Sequence, residues 1–334
     1  MRPFTITTPK SLLPVANVPL IQYQLILLAG YGINYVVLAV NSQRKKYTEL
    51  LKTARSLGIN LCFSCEKYPL GTAGGIKNAC RFLKGNDPFI VFNGDILSDC
   101  NLQQMLSFHK STGADVSIAI VEVANPKDFG VIVIDNERRI QQFIEKPEQP
   151  VSHLINAGVY IMQPDILNEI PSGEEVSIEK EIFPHLIKTG RKLFAYMHNG
   201  YWMDVGTIEK YKNANFDVIE GKVNFDSGRK SEENTVVAGE TVHIRGRICC
   251  GKNVVFGKNV EIDGTVIIGD NCFIGENTSI KNAILFRSVM VGRNCLIHDS
   301  IIGKASLIEE NCEILHSAVA DNSRICRHTK IGNI

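Results

Sequence analysis

Hydrophobic residues follow one rhythm through the first two thirds of the chain and another through the last third. From Leu20 to about Glu220, helix-length and strand-length segments alternate. Leu20 to Ala29 predicts a helix. After a turn at Gly30 and Gly32, the unbroken apolar run Tyr35 to Val40 predicts a strand buried on both faces. Lys45 to Leu57 predicts another helix, ahead of a strand through Asn60-Leu61-Cys62-Phe63. Phe89 to Phe92 is the next strand and runs directly into Asn93-Gly94-Asp95. Helix then strand recurs at Leu102 to Lys110 and Val116 to Val123. The alternation predicts an α/β domain with a doubly wound, mostly parallel sheet, which binds ligands beyond the carboxyl ends of its strands.

Past Glu220 the period changes to five or six. Apolar residues recur at Phe256, Ile262, Ile268, Ile274, Ile280, Phe286, Val291, Ile297, Ile302, Ile308, Ile314, Val319, Ile325 and Ile331. Small or thin residues such as Val260, Val266, Cys272 and Thr278 sit two places before them, and glycine often follows. This hexapeptide repeat, held for fourteen turns, predicts a left-handed parallel β-helix with one aliphatic side chain per face pointing inward. The polar stretch Asn224 to Asn234, with Gly228, predicts a linker. The expected organisation is a first domain over 1–222, a linker over 223–235 and a β-helix over 236–334.

Composition narrows the function classes. The 334 residues are 44% hydrophobic and 21% charged with a net charge of +1, so nothing points to nucleic acid or an anionic membrane as partner. No apolar run approaches the roughly 20 residues of a membrane span, and the first residues lack the apolar core of a secretory signal. The ten cysteines are scattered, as in a reduced cytoplasmic protein, and Cys272, Cys295 and Cys312 fall on small-residue positions of the repeat. Cys62 and Cys65 form a CxxC without a second ligand pair, a poor metal site.

Five stretches carry candidate chemistry. Asn93-Gly94-Asp95 and Trp202-Met203-Asp204-Val205-Gly206 each place a carboxylate at the end of a strand, the second ahead of a helix starting near Thr207. Two such carboxylates can share one Mg2+, which keeps waters and takes substrate phosphates; each alone also suits a turn or a helix N-cap. Tyr68-Pro69-Leu70-Gly71-Thr72-Ala73-Gly74-Gly75 is a glycine-rich loop before a helix-like segment through Lys84. Phe143-Ile144-Glu145-Lys146-Pro147 offers a cation for a phosphate and an anion for hydroxyl donors, or an exposed ion pair. Thr8-Pro9-Lys10-Ser11 adds a lysine beside a proline that fixes the local backbone.

Taken in order, Thr8-Pro9-Lys10-Ser11-Leu12-Leu13-Pro14, Pro69 to Gly74, Asn93-Gly94-Asp95, Glu145-Lys146-Pro147, Asn156-Ala157-Gly158 and Trp202 to Gly206 resemble the motifs of sugar-nucleotide pyrophosphorylases. Ser177-Ile178-Glu179-Lys180-Glu181-Ile182-Phe183-Pro184 is most similar to mannose-1-phosphate guanylyltransferases. The resemblance implies a Rossmann-like nucleotidyltransferase that joins a nucleoside triphosphate to a hexose 1-phosphate. GTP with mannose 1-phosphate is the first expectation, and glucose 1-phosphate with dTTP, UTP or ATP the alternative. It implies Asp95 and Asp204 as Mg2+ ligands, Lys10 on the nucleotide phosphates and Lys146 on the sugar phosphate. Gly130, Glu145, Asn156 and Gly158 would lie near the sugar and Gly71 against the nucleoside. A cytoplasmic homo-oligomer is expected.

One family motif has no counterpart: a glycine-rich loop ending in Gly-Thr-Arg ahead of the equivalent of Arg2-Pro3-Phe4-Thr5. The expectation is that the natural polypeptide begins upstream of Met1, and that the chain as written is inactive for want of this phosphate cradle. Two rival readings are a regulatory paralogue that assembles through its β-helix and an acyltransferase using His298 or His316. The second rival would need a long inserted loop around those histidines, and the repeat shows none.

Overall fold

The computed structural model describes residues 1–41, 44–83, 85–224, 236–237 and 241–332, which divide into two compact units. One unit is Gln24–Trp202; the other joins Met1–Tyr23 to Met203–Ile334. Residues 225–235 of the expected linker lie outside the described residues.

The Gln24–Trp202 unit is built on a mixed sheet. Leu193–Met197, Val116–Glu122, Leu154–Met162, Gly130–Ile134 and Ile140–Glu145 lie in that spatial order, and Phe89–Phe92 also pairs with Leu154–Met162. The long strand Leu154–Met162 runs antiparallel to three of its neighbours, whereas Leu193–Met197 runs parallel to Val116–Glu122. Ile118, Ile120, Ile132, Tyr160 and Phe183 are buried together in its core. The helix Leu102–Thr112 starts where the Asn101 side chain accepts the Gln104 N–H at 2.9 Å and stops at left-handed Gly113.

Two sequence expectations change here. Tyr35–Val40 is a strand but is half-buried along most of its length, with Ala39 exposed. It pairs in parallel with Asn60–Cys65 as a separate two-stranded sheet, and so narrow a sheet is covered less completely than one inside a wide one. The helix expected over Lys45 to Leu57 is broken into the 3-10 turn Arg44–Tyr47 and the helix Leu50–Ser56. Cys62 and Cys65, three apart on one strand, project to opposite faces and cannot share an ion.

In the second unit, the register steps from His243 to Glu261 to Ser279 in strides of 18 residues, then to Leu296, Glu313 and Lys330 in strides of 17. Each coil of this parallel β-helix therefore holds three hexapeptide-like faces, and fourteen sequence repeats make about five coils, not fourteen. The shorter coils come from one five-residue face. There Leu285, not Phe286, occupies the inward position between Ile268 and Ile302. Phe286 is displaced but still buried, its ring 5.1 Å from that of Phe4 and 6.2 Å from that of Tyr211. The thin residues Val260, Val266, Cys272, Thr278, Cys295 and Cys312 are all buried between coils.

The corners of the coils need a left-handed residue, and asparagine supplies it at Asn259, Asn277, Asn294 and Asn311. Their side chains bond coil to coil, each Nδ2 donating to the next Oδ1 at 3.1, 3.2 and 3.2 Å. The N-terminal segment belongs with this unit. Asn17 Nδ2 donates to the Ile268 carbonyl at 2.8 Å, Lys304 donates to Thr8 at 3.0 Å, and the Thr7 hydroxyl donates to Asp321.

Candidate functional site

In the Gln24–Trp202 unit the site grows from an irregularity in the strand Leu154–Met162. Asn156 pairs with Ile120 and Tyr160 with Ile118, so three residues on one strand oppose one on the other. Asn156 closes the bulge on itself. Its Oδ1 accepts the Gly158 N–H at 2.9 Å, and its Nδ2 donates to the Tyr160 hydroxyl at 2.7 Å. Tyr160 is fully buried, which pushes its phenol well above the ordinary value and keeps it neutral. Gly158, at φ +71°, presents its carbonyl to the Asn93 N–H at 2.8 Å, and a Cβ there would stand 3.0 Å from the Asn93 side chain. Gln24 fastens the far side of the same turn by donating to the carbonyls of Asn93 and Ile96, both at 2.9 Å. The bulge and the turn that carries Asp95 are thus one hydrogen-bonded piece.

Beside it lies a mixed-charge cluster. Glu145 pairs in register with Gly130, and a Cβ on Gly130 would come within 2.9 Å of the Glu145 carboxylate. The Phe143 ring, which that Cβ would meet at 2.7 Å, and the carboxylate together occupy the space that the missing side chain leaves. Burial, then the like charge of Glu179, raises the Glu145 pKa; Lys146 and Lys180 pull it back. Lys146 Nζ lies 3.8 Å from Glu145, and its side chain is 64% exposed against 17% for the glutamate. The lysine backbone is held left-handed at φ 46°, a conformation that costs an L-residue about 1 kcal/mol or more.

The glycine-rich stretch is not a loop: Gly71–Ala79 is helical from its first glycine. Val176 makes the difference, because its carbonyl accepts the Ala73 N–H at 2.9 Å and the Gly74 N–H at 3.4 Å. Two first-turn amides expected to face an anion are therefore bound within the protein. Lys84, where the helical segment was expected to end, lies outside the described residues. Thr72 links this helix to the cluster by donating to Glu179 Oε2 at 2.7 Å, and the Ser177 hydroxyl donates to the same oxygen at 3.0 Å. Glu179, Thr72 and Tyr160 were not singled out as site residues in the sequence. The signal for Glu179 was there, since Glu179-Lys180 repeats the Glu145-Lys146 pair. Trp202 closes the group, donating from Nε1 to the Ala157 carbonyl at 2.9 Å with its ring edge-on to Phe129.

Lys10 and Asp204 belong to the other unit. Pro9 sets up the 3-10 turn Lys10–Leu12, and Lys10 Nζ lies 3.8 Å from Asp204 Oδ1. Lys210, one turn into the helix Ile208–Glu220 that Thr207 caps, lies 3.4 Å from Asp204 Oδ2. Asp204 thus stands between two ammonium groups, and Lys210 is a further residue missed in the sequence.

Mg2+ takes hard oxygen donors, often one or two carboxylates with phosphate and water completing the shell. Asp95 and Asp204 have the right chemistry for that share; among the described residues no group of three or more acidic, histidine or cysteine ligands gathers. His298 is packed on the β-helix with Nε2 3.3 Å from the Ser279 hydroxyl, and burial lowers its pKa. His316 sits at a left-handed corner.

Residues 1–221 match the nucleotidyl transferase family, and residues 231–333 match the GMPPB C-terminal domain. The mannose-1-phosphate guanylyltransferase of Mycobacterium tuberculosis is 38% identical over 222 residues, 66% of this chain and 62% of the relative. The beta catalytic subunit of the Drosophila pseudoobscura pseudoobscura enzyme is 39% identical over 208 residues, 62% of this chain and 56% of that one. The chain thus spans under two thirds of the length of these relatives. A crystal structure of HddC from Yersinia pseudotuberculosis, complexed with GMP-PN, superimposes with a TM-score of 0.54 at 27% identity, over 62% of this chain and 89% of that one.

Proposed function

We propose that this chain, which belongs to the nucleotidyl transferase family, joins a nucleoside triphosphate to a hexose 1-phosphate, with GTP and mannose 1-phosphate as the pair. The likeness to guanylyltransferases supports the choice of pair. The observation that carries the reaction class is the cluster beside the bulge, where a half-buried carboxylate of raised pKa stands next to a strained, exposed lysine.

A phosphate oxygen of the sugar attacks the α-phosphorus of the triphosphate. The bond from that phosphorus to the bridging oxygen breaks, and pyrophosphate leaves with the electron pair. The nucleophile is already an anion, so the task is positioning two anions against their repulsion. In this reading Lys146 neutralises the sugar phosphate, and Glu145 accepts hydrogen bonds from sugar hydroxyls. Asn156 and the Gly158 bulge shape the sugar pocket, while Gly71 lies against the nucleoside and Lys10 contacts the nucleotide phosphates. Asp95 and Asp204 would hold Mg2+, which supplies charge neutralisation on the triphosphate. Lys210, on the same carboxylate as Lys10, positions Asp204.

The test is pyrophosphate release across four nucleoside triphosphates and two hexose 1-phosphates, with and without Mg2+. It is run on this chain and on one extended by a Gly-Thr-Arg loop ahead of Arg2. Turnover confined to one pair, falling by on the order of a hundredfold or more in Asp95→Ala and Asp204→Ala, is the expected result. Turnover by the extended chain alone supports an upstream phosphate cradle. Nucleotide binding with no release from either chain favours the regulatory reading, and a glucose pair reassigns the sugar.

A further inference from the structure

Residues 1–13 fold on themselves, the N–H groups of Thr5, Ile6, Thr8, Leu12 and Leu13 donating to the carbonyls of Met1, Pro3, Phe4, Pro9 and Lys10. Side chains then fix this segment to the β-helix of the same unit at two places. The first is Phe286, the residue that the five-residue face turns out of its coil. Phe4 is fully buried with its ring 5.1 Å from that of Phe286, and Tyr211, next in the chain after Lys210, stands edge-on to the same ring. The Tyr211 hydroxyl donates to the Pro14 carbonyl, which closes the far end of the segment. The second place is a clasp. The Lys304 ammonium donates to the hydroxyls of Thr7 at 3.2 Å and Thr8 at 3.0 Å and lies 3.3 Å from Asp321 Oδ2, so its three N–H donors have three acceptors. The Asp321 side chain, 3% exposed, accepts the Lys304 backbone N–H on Oδ1 at 2.9 Å and the Thr7 hydroxyl on Oδ2. A carboxylate so buried needs a full set of partners, and the N-terminal segment supplies one of them.

We propose that Phe286, Lys304 and Asp321 are positioning residues, through which the β-helix sets where Lys10 stands against Asp204. The clasp ends one residue before Lys10. That residue is Pro9, at φ −52°, whose ring leaves it no φ freedom to absorb a shift. Any movement of Thr8 therefore passes to Lys10. The lysine is placed where a small movement counts, since its Nζ lies 3.8 Å from Asp204 Oδ1, and about an ångström more takes it outside ion-pair distance. Phe286 adds a shared reference. It touches the Lys10 segment through Phe4 and the Lys210 helix through Tyr211, so both ammonium groups flanking Asp204 are gauged from one ring. The consequence for the reaction rests on the reading of Lys10 as a contact to the nucleotide phosphates. A displaced ammonium leaves triphosphate charge unopposed, so loosening the clasp weakens the nucleotide and spares the sugar phosphate.

The position of Lys10 can be read without turnover. A lysine held against a carboxylate is acylated more slowly than a free one, and trace labelling of the whole chain with acetic anhydride, followed by peptide mass spectrometry, gives the Lys10 rate relative to exposed Lys188. Thr7→Val with Thr8→Val leaves the Lys304–Asp321 pair in place and removes only the link to the segment. It should raise the Lys10 rate by about threefold or more, toward the rate in Asp204→Asn, and Lys304→Met should do the same. Lys281→Met, which breaks a 2.8 Å pair with Asp263 elsewhere on the coils, should leave it unchanged. Circular dichroism verifies the fold of each variant. Calorimetry with Mg2+ should then show the threonine variant binding GTP about threefold or more weakly, with mannose 1-phosphate within about twofold of the parent. An unchanged Lys10 rate in the threonine variant overturns the proposal, and so does an equal rise in Lys281→Met. A raised Lys10 rate with unaltered GTP affinity, or a parent that binds no GTP, upholds the clasp and overturns the reading of Lys10 as a phosphate contact.

Discussion

Replacing Gly71 by alanine separates two costs that are usually merged. Gly71 sits at φ +66° and Gly113 at φ +59°, so both variants force an L-residue into the left-handed region. That costs about 1–2 kcal/mol, offset by about 0.4–1 kcal/mol from narrowing the unfolded ensemble. The surroundings differ. A Cβ on Gly113 meets nothing within 4 Å, whereas one on Gly71 would stand 2.5 Å from the Val176 carbonyl oxygen and 2.9 Å from its carbon. Ordinary contact begins near 3.4 Å, so the segment or the helix must yield by nearly an ångström. The oxygen in the way is the one that holds the Ala73 and Gly74 amides. Overpacking of this kind costs about 1–3 kcal/mol. Gly113→Ala should therefore lose about 1 kcal/mol and Gly71→Ala about 2–4 kcal/mol. Urea unfolding with a shared slope reads the difference as a shift in midpoint, and the Gly71 variant should also raise KM for the nucleotide. Equal losses, to within about 0.5 kcal/mol, would refute the claim that Val176 confines this helix.

Glu145→Gln should abolish pyrophosphate release yet unfold at the same or a higher temperature at neutral pH. The folded pKa of Glu145 is raised by burial and then by Glu179. Its protonated form therefore favours folding below the ordinary carboxylate range, and the benefit is lost as pH rises through the folded value; a clear fall in Tm at neutral pH contradicts this. His109 is held neutral by burial, bridging Ser117 at 2.9 Å and Gln163 at 3.0 Å. Its depressed pKa gives stability above about pH 6.5 that is lost as pH falls toward the folded value; His109→Gln should flatten that slope in a series of thermal melts. Trp202→Phe removes the bond to the Ala157 carbonyl and should cost about 1–2 kcal/mol, raising KM for the sugar phosphate more than it lowers kcat.

Periodicity made the β-helix legible because each inward residue is a local fact: Ile262, Ile268 and Ile274 reveal their faces without knowledge of anything distant. The same rule misplaced Phe286, since a five-residue face shifts the inward position to Leu285 and only stacking against Ile268 and Ile302 shows it. Strand ends bearing Asp95 and Asp204 were readable for the same local reason. Glu179 was not, because its role rests on a contact from Thr72, 107 positions away. The helix at Gly71 was misread as a loop because the Val176 carbonyl that organises it is equally remote. Tyr35–Val40 shows the limit of composition: an unbroken apolar run sets a preference for burial, while its place in a two-stranded sheet sets how much it receives.

The coil-to-coil bonding of the β-helix also governs how it comes apart. Every ladder contact runs only to the coil before or after, so the array behaves as a row of neighbours rather than a core with a centre. The inner residues Ile280, Ile297 and Ile314 are fully buried, but Ile325 and Ile331 are only half covered at the end of the stack. Opening there breaks one interface instead of two. Amide exchange should consequently quicken in steps toward Lys330, coil by coil.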